Sequence, residues 1–308
     1  MLPNFHCQSS RKSAVKQAGL VIVIVLSLLA LMGCDTTATR EKSQTVEISS
    51  AQALDEYFDT IGYNVIANPD ILKTIPRIRF THIPDNWQPE NSIPLKKSVF
   101  FRAMASAILQ VNETILANHQ RIQKLDRDHL SDDDREWLAG MMQKYKVTDK
   151  QTDFTADEMM KLKRRVDIIP PSLALVQAAI ESGWGSSRFA REGNALFGQW
   201  TTGEGLKAQG SDARLAAFAT PTKSVAAYCL NLNTHRSYTQ FRHARAEMRQ
   251  KGTTIDGVNL AGYLDRYSEK GEAYTRLIKD MIQRDGLEIA DTAQLSKGPD
   301  IIIRPVGP

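Results

Sequence analysis

The hydrophobic and polar positions of the chain follow a helical period over its longest regular stretch. Between Lys96 and about Leu125, apolar residues recur three and four positions apart, which predicts one long helix. The apolar positions of this stretch are Val99, Phe100, Ala103, Met104, Ala107, Ile108, Val111, Ile115 and Leu116.

Three helix starts are predicted in the chain after this long helix. Ser131 precedes one helical pattern, and Thr155 with Glu158 forms a capping box behind an apolar Phe154. A third helix, rich in small apolar residues, begins at the prolines that end with Pro171.

Further helices are predicted at residues 51–58, after Thr220, and near residues 240–250 and 256–284. Residues 201–219 are rich in Thr, Gly and Ala and alternate only weakly, which predicts a short β-hairpin or irregular lobe. The pattern as a whole predicts a mainly α protein.

The N-terminus has the features of an export signal. A basic segment precedes an apolar run from Ala18 to Leu31, which is shorter than the ~20 residues of a typical membrane span. The run ends in L-M-G-C, residues 31–34, which resembles a bacterial lipobox. We therefore expect removal of residues 1–33 and lipidation of Cys34, with an uncleaved signal anchor as the alternative.

Asp35 follows the cysteine directly, which resembles the inner-membrane retention signal of enteric-type lipoproteins. We expect a periplasm-facing protein that is lipid-anchored in the inner membrane. Residues 34–48 are polar and predict a tether, and residues 290–308, with three prolines, predict a flexible tail.

The charge balance and the spacing of cysteines and histidines limit the classes of partner and cofactor that we expect. Loss of the export signal would leave 36 of the 39 basic residues against 35 acidic ones, a balance that gives no argument for nucleic acid. The cysteines at positions 7, 34 and 229 form no CxxC, and the six histidines form no HExxH, so we expect no metal and no cofactor. Cys229 is expected to be a buried thiol without a disulfide partner.

A carboxylate closes the apolar helix that follows Pro171. The sequence V-Q-A-A-I-E-S-G-W-G-S-S, residues 176–187, places Glu181 where small apolar residues give way to two glycines around Trp184. A carboxyl group half inside an apolar wall has a raised pKa and keeps its proton closer to neutral pH, as a general acid requires. The alternative is an ordinary helix-end glutamate in solvent. The glycines, which let backbone approach a ligand, and the flat face of Trp184, which suits a sugar ring, favour the catalytic interpretation.

Three motifs then make a family recognisable. They are A-A-I-E-S-G-W-G-S-S at 178–187, N-A-L-F-G-Q-W at 194–200 and Y-S-E-K-G-E-A-Y at 267–274. In this order they closely resemble the bacterial glucosaminidases of glycoside hydrolase family 73. The resemblance implies an α-rich, lysozyme-like domain over residues 153–289 that cleaves peptidoglycan glycan strands after N-acetylglucosamine. Residues 49–152 would form an extra helical region in front of it.

The resemblance also implies roles. Glu181 would be the general acid, and a second carboxylate would come from the small β-lobe, where Glu204 is preferred over Asp212. The acetamido oxygen of the substrate is the alternative nucleophile. Tyr267 would face the cleft and bind the N-acetyl group or steady the reactive centre, although Tyr267 and Tyr274 could equally be core tyrosines.

The candidates for substrate binding are Ser182, Trp184, Asn194, Phe197 and Tyr238. Ser182 and Asn194 are expected to act by organising the loops, and surface packing is the alternative for Tyr238.

Three functions follow from these features. The first is an endo-β-N-acetylglucosaminidase acting on peptidoglycan, and the second is a catalytically silent peptidoglycan-binding or scaffolding lipoprotein. The third is a cell-wall amidase, which ranks last because that chemistry usually recruits zinc ligands or a Cys-His pair.

Overall fold

The computed structural model describes residues 43–64, 73–84, 92–208 and 210–306 of the chain. Its α-helices are α1 (Ala51–Thr60), α2 (Ile93–Lys124), α3 (Asp132–Lys144), α4 (Ala156–Arg165), α5 (Pro171–Ser182), α6 (Arg188–Gly193), α7 (Pro221–Thr234), α8 (Thr239–Lys251), α9 (Gly257–Ala261) and α10 (Glu272–Arg284). Segments of 3₁₀ helix lie at Arg127–His129, Arg236–Tyr238 and Leu287–Thr292. The strands are β1 (Gln44–Ile48), β2 (Thr74–Ile75), β3 (Ile78–Phe80), β4 (Trp200–Thr201), β5 (Leu206–Lys207), β6 (Arg214–Leu215), β7 (Gln294–Leu295) and β8 (Ile301–Pro305). The predicted mainly α, lysozyme-like fold is confirmed.

Local sequence signals set the helix starts as predicted. The Ser131 hydroxyl accepts the backbone N–H three residues into α3 at 3.1 Å. Thr155 and Glu158 form the reciprocal capping box of α4, and Phe154 in front of them is buried. The long predicted helix is α2, which begins a few residues early, at Ile93.

Helix α5 lies at the centre of the molecule. Its residues from Pro171 to Ala179 are all buried, and it packs against α2, α9 and α10. A helix that is apolar on every side belongs in a core. Because α2 also packs against α7, the N-terminal region and the later helices share one hydrophobic core.

A parallel sheet of order β1-β8-β3 joins the two ends of the described chain, with Val46 opposite Ile303. Strands β2 and β7 form a second parallel pair. The predicted tether is therefore wrong for residues 44–48, and the predicted flexible tail is wrong for β7 and β8. The prolines near the C-terminus flank a β-branched run, Ile301–Ile303, rather than interrupt it, and such residues favour a strand with neighbours on both sides.

The small lobe after α6 is an antiparallel sheet of order β4-β6-β5. Backbone bonds from Ala216 N–H to the Gln199 carbonyl and from Phe218 N–H to the Gly193 carbonyl, both at 2.8 Å, tie it to the segment between the end of α6 and β4. The lobe predicted from weak alternation is thus three-stranded.

The prediction of a single helix near residues 256–284 is wrong. The chain forms α9, then a loop over residues 262–271, then α10. Gly271, at the end of the loop, has a backbone φ of 52°, a conformation that glycine adopts without steric cost. The break exposes the Y-S-E-K-G segment, which carries Tyr267.

None of the helices in the described ranges has the length and hydropathy required to span a bilayer. The predicted export signal and the lipidation site at Cys34 lie outside the described residues.

Candidate active site

Glu181 lies in the last turn of the buried helix α5, and its side chain is half-buried. The helix ends at Ser182 and is capped by Gly183, whose φ of 58° turns the chain away. Burial raises the pKa of Glu181, and a hydrogen bond from Tyr274 and the charge of Lys270 oppose that rise in part. The carboxyl group thus keeps its proton to higher pH than an exposed glutamate does.

Tyr274, in the first turn of α10, forms the hydrogen bond to this carboxyl group. Its hydroxyl lies 2.7 Å from Oε1 of Glu181. Burial is the largest cause of the raised pKa of Tyr274, and the nearby Glu181 carboxylate adds to it. The phenol therefore stays protonated and is available as a donor to the carboxylate.

Gly198 of the L-F-G motif lies beside Oε2, the other oxygen of the Glu181 carboxyl group. Gly198 has a φ of 61°, and a side-chain carbon built there would lie 3.4 Å from Oε2 of Glu181. A glycine at this position therefore leaves the space beside Oε2 open.

Tyr267 links the second and third motifs. Its hydroxyl donates to the carbonyl of Phe197 at 3.1 Å, and its ring stacks on that of Tyr274 with centroids 5.7 Å apart and an interplanar angle of 3°. Part of its side chain remains exposed. The structure thus brings all three motifs together around Glu181, while a catalytic role of Tyr267 stays a prediction.

Ser182 and Asn194 organise the loops and are too buried to contact a substrate. Ser182 is fully buried, bonds a carbonyl of α5 and accepts the Gly185 N–H at 2.8 Å. Asn194 accepts the Ile83 N–H at 2.9 Å and donates to the Phe218 carbonyl at 2.8 Å. Both residues thus organise the loops as expected, and only their assignment as residues in direct contact with a substrate is corrected.

Phe197 and Tyr238 lie inside an aromatic cluster and expose little surface. Phe197 stacks on Tyr228 at 4.0 Å, and the ring of Tyr238 lies 6.2 Å from that of Tyr267. Both residues are buried, so direct substrate contact is corrected to packing around Tyr267 and Tyr274.

Trp184 also differs from expectation. It has a φ of 61°, which is uncommon for a bulky residue, and its half-buried ring packs edge-on against Phe100 and Phe101 of α2. The Lys97 ammonium lies 5.0 Å from the centroid of the same ring. The glycines on either side allow this turn, so Trp184 anchors the Glu181 loop to α2 instead of offering a free face to a sugar.

The extra N-terminal region therefore supports the site. In addition to the Trp184 contacts, Lys96 of α2 donates to the Ser186 hydroxyl at 3.0 Å. These contacts join the N-terminal region to the loop after Glu181. The bond between Asn194 and the Ile83 N–H joins the same region to the end of α6.

Glu204 lies exposed in the turn between β4 and β5. Asp212, the other acidic candidate of the lobe, is also exposed and pairs with Lys207 at 3.0 Å. Within the described part of the chain, neither carboxylate shares a hydrogen bond with Glu181. A catalytic role of Glu204 stays a prediction.

Amidase chemistry usually requires a thiolate nucleophile or a metal site. Cys229 is fully buried, and burial raises the pKa of its thiol to about 12, so it does not supply a thiolate nucleophile. No group of three or more potential metal ligands occurs among the residues that the structure describes.

Sequence reasoning missed two residues next to the site. Gln177 and Tyr228 are fully buried and hydrogen-bond each other at 2.6 Å, and Gln177 also bonds Tyr274 at 3.1 Å. The available signal was the position of Gln177, a polar residue four before Glu181 and thus on the same face of an otherwise apolar helix.

Comparison with known proteins agrees with this geometry. Residues 156–287 match the glucosaminidase family, described as mannosyl-glycoprotein endo-beta-N-acetylglucosaminidase. Protein Bax of Escherichia coli (strain K12) is 34% identical over 204 residues, which cover 65% of this chain and 73% of that protein. No solved structure matches the chain.

The resemblance drawn from the three motifs is confirmed by these matches. The glucosaminidase domain suggests peptidoglycan-related glycosidase activity. The match covers 73% of the Bax sequence, and the family match over residues 156–287 includes the three motifs around Glu181. The chain therefore belongs to the Bax-like proteins of the glucosaminidase superfamily.

Proposed function

We propose that the protein is a peptidoglycan hydrolase that acts as an endo-β-N-acetylglucosaminidase, with Glu181 as its general acid. The observation that carries this proposal is the half-buried Glu181 carboxyl group, whose pKa is raised by burial and whose Oε1 bonds Tyr274. A carboxylic acid that keeps its proton toward neutral pH is the group that glycosidic bond cleavage requires.

The first step follows from these contacts. Glu181 gives its proton to the glycosidic oxygen as the bond to the anomeric carbon breaks. The carboxylate that forms is stabilised by the Tyr274 hydroxyl at 2.7 Å and by the positive charge of Lys270. Both groups favour the charge that appears as the reaction proceeds.

The second step requires a nucleophile at the anomeric carbon. We assign Glu204 as the base that activates a water molecule, because it projects from the lobe that Gln199 and Ala216 tie to the L-F-G motif. The acetamido oxygen of the substrate is the alternative nucleophile, as in substrate-assisted glycosidases.

An aromatic side chain other than Trp184 is available for the sugar. Trp200 is 66% exposed and lies two residues after Gly198. A large exposed aromatic ring is unusual on a surface and suits the apolar C–H face of a sugar. We assign it as a substrate-binding residue.

Digestion of purified sacculi by the full chain in detergent tests the proposed function. Mass spectrometry should detect fragments with new reducing N-acetylglucosamine ends. Glu181→Gln should lower the rate by about 10²–10⁴-fold, the usual contribution of a general acid, while the protein stays folded. Glu192→Gln, an exposed glutamate of α6, is the matched control and should keep activity.

Other outcomes separate the alternatives. Binding to sacculi without any new ends at several pH values would favour a catalytically silent scaffolding lipoprotein. Undiminished turnover by Glu181→Gln would remove Glu181 from the mechanism.

We also propose that the protein faces the periplasm and is held at the inner membrane by a lipidated Cys34. The L-M-G-C motif and Asp35 support this. Incorporation of labelled palmitate should be lost in Cys34→Ala. Retained label in that variant would contradict lipidation at this cysteine.

A further inference from the structure

A buried hydrogen-bond relay leads from α7 to the catalytic carboxyl group. The Tyr228 hydroxyl lies 2.6 Å from Oε1 of Gln177, and Nε2 of Gln177 lies 3.1 Å from the Tyr274 hydroxyl. The Tyr274 hydroxyl lies 2.7 Å from Oε1 of Glu181. The Tyr228–Gln177–Tyr274 relay thus connects three helices to one oxygen of the carboxyl group.

The buried end of the relay sets its direction. Tyr228 and Gln177 are both 0% exposed, so the phenol proton of Tyr228 needs an acceptor within the protein. Oε1 of Gln177 accepts it, which turns the other end of the amide, a donor, toward Tyr274. The Tyr274 oxygen accepts from Gln177, and its own proton is left for Glu181.

The opposite orientation of the amide is disfavoured. It would place Nε2 of Gln177 against the Tyr228 hydroxyl and leave the proton of that phenol buried without an acceptor. It would also give Tyr274 an acceptor other than Glu181. The hydroxyl of Tyr228 therefore decides which way the relay runs.

The two oxygens of Glu181 consequently differ. Oε1 is occupied as an acceptor, whereas Oε2 faces the space that Gly198 leaves open. We propose that Gln177, fixed by Tyr228, is a positioning residue that makes Tyr274 a donor to Oε1 and so assigns the transferable proton to Oε2. This inference rests on the proposed function and specifies how the site holds its proton.

Other charged and titratable groups lie on the elements that pack against α5 and its C-terminal loop. They are Lys270 and Tyr267 in the loop before α10, Lys96 and Lys97 of α2 across the Trp184 loop, and Asp291, which bonds Ser172 at the far end of α5. The variants below leave all of them in place, so a change in titration reports on the relay.

Tyr228→Phe tests the proposal with the smallest change. It keeps the ring that stacks on Phe197 and removes only the hydroxyl. Gln177 is then free to turn, and ionised Glu181 loses part of its hydrogen bond from Tyr274. Since protonated Glu181 is the active form, the alkaline limb of the kcat/KM profile on sacculi should move to higher pH by roughly half a unit.

Tyr63→Phe is the matched control. Tyr63 is also 0% exposed, and its hydroxyl bonds the Arg102 carbonyl at 3.2 Å in the N-terminal region. Loss of this buried bond should lower stability, as in Tyr228→Phe, and leave the alkaline limb unchanged.

Titration of the ¹³C-labelled Glu181 carboxyl group by NMR gives the same comparison without turnover. Absence of activity in the wild type would overturn the proposed function, and the titration would still test the relay. An unchanged Glu181 midpoint in Tyr228→Phe overturns the proposal, and so does an equal shift in Tyr63→Phe.

Discussion

Glu181 and Glu204 differ in how firmly the surrounding structure holds their side chains. Glu181 ends a helix that is buried on every side, and a relay of buried side chains holds it. Glu204 projects into solvent from a turn between two-residue strands. The difference teaches that the fold preorganises the proposed proton donor, whereas the position of the proposed second group depends on a small lobe with few bonds to the core.

Glu204→Gln tests the carboxylate with the weaker structural support and has the largest expected effect of the four comparisons below. If Glu204 activates the attacking water, kcat should fall about 10²-fold or more with little change in KM. Asp212→Asn, in the same lobe and also exposed, is the control and should stay near wild type. Rates within twofold of wild type for both variants would contradict a role for Glu204 and favour the acetamido oxygen.

Tyr274→Phe tests the carboxylate with the stronger structural support. The variant removes the hydrogen bond to Oε1 of Glu181, so kcat should fall roughly 10–10²-fold, since such bonds to charged groups contribute about 1.5–3 kcal/mol. The pKa of Glu181 should rise further because its anion loses a donor, which moves the alkaline limb of the rate profile upward. A limb that moves to lower pH would show that Tyr274 does not donate to the carboxylate.

Trp200→Ala examines the lobe without touching the acid. Loss of an exposed aromatic face should raise KM several-fold, roughly 3–10-fold, and leave kcat nearly unchanged. Trp137→Ala, on α3, serves as the control because its ring contacts Arg121 in the N-terminal region. Equal KM values for wild type and Trp200→Ala would exclude Trp200 from substrate binding.

The pH dependence of stability gives the smallest expected effect. Because the pKa of Glu181 is raised in the folded protein, stability is lost as pH rises from the ordinary value toward the folded value. Glu181→Gln removes that loss, so its Tm should exceed that of wild type at pH 8, and the two should converge near pH 4. A lower Tm for the variant at pH 8 would contradict the burial cost.

The sequence predicted what depends on local signals. The capping box at Thr155, the apolar wall before Glu181 and the order of the three motifs required only neighbouring residues. It did not predict that Gln44 pairs with Ile301, or that Trp184 packs on α2, because those contacts join distant parts of the chain. The prolines near the C-terminus indicated a flexible tail because the sequence alone does not show that β1 and β3 pair with β8.

The burial of the supporting residues was not predicted for a similar reason. Ser182 and Asn194 are polar residues within a recognisable motif, so they resemble ligand contacts until their burial is known. Gln177 and Tyr228 lie on different helices, and only the packing of α5 against its neighbours brings their side chains together.

Titration of the Glu181 carboxyl group in the wild-type protein tests the central claim most directly. The resonance, followed by ¹³C NMR of labelled glutamate, is assigned by its loss in Glu181→Gln. The account predicts a midpoint above the ordinary value of 4.5. A midpoint at or below that value would show that the site does not retain the proton that glycosidic cleavage needs.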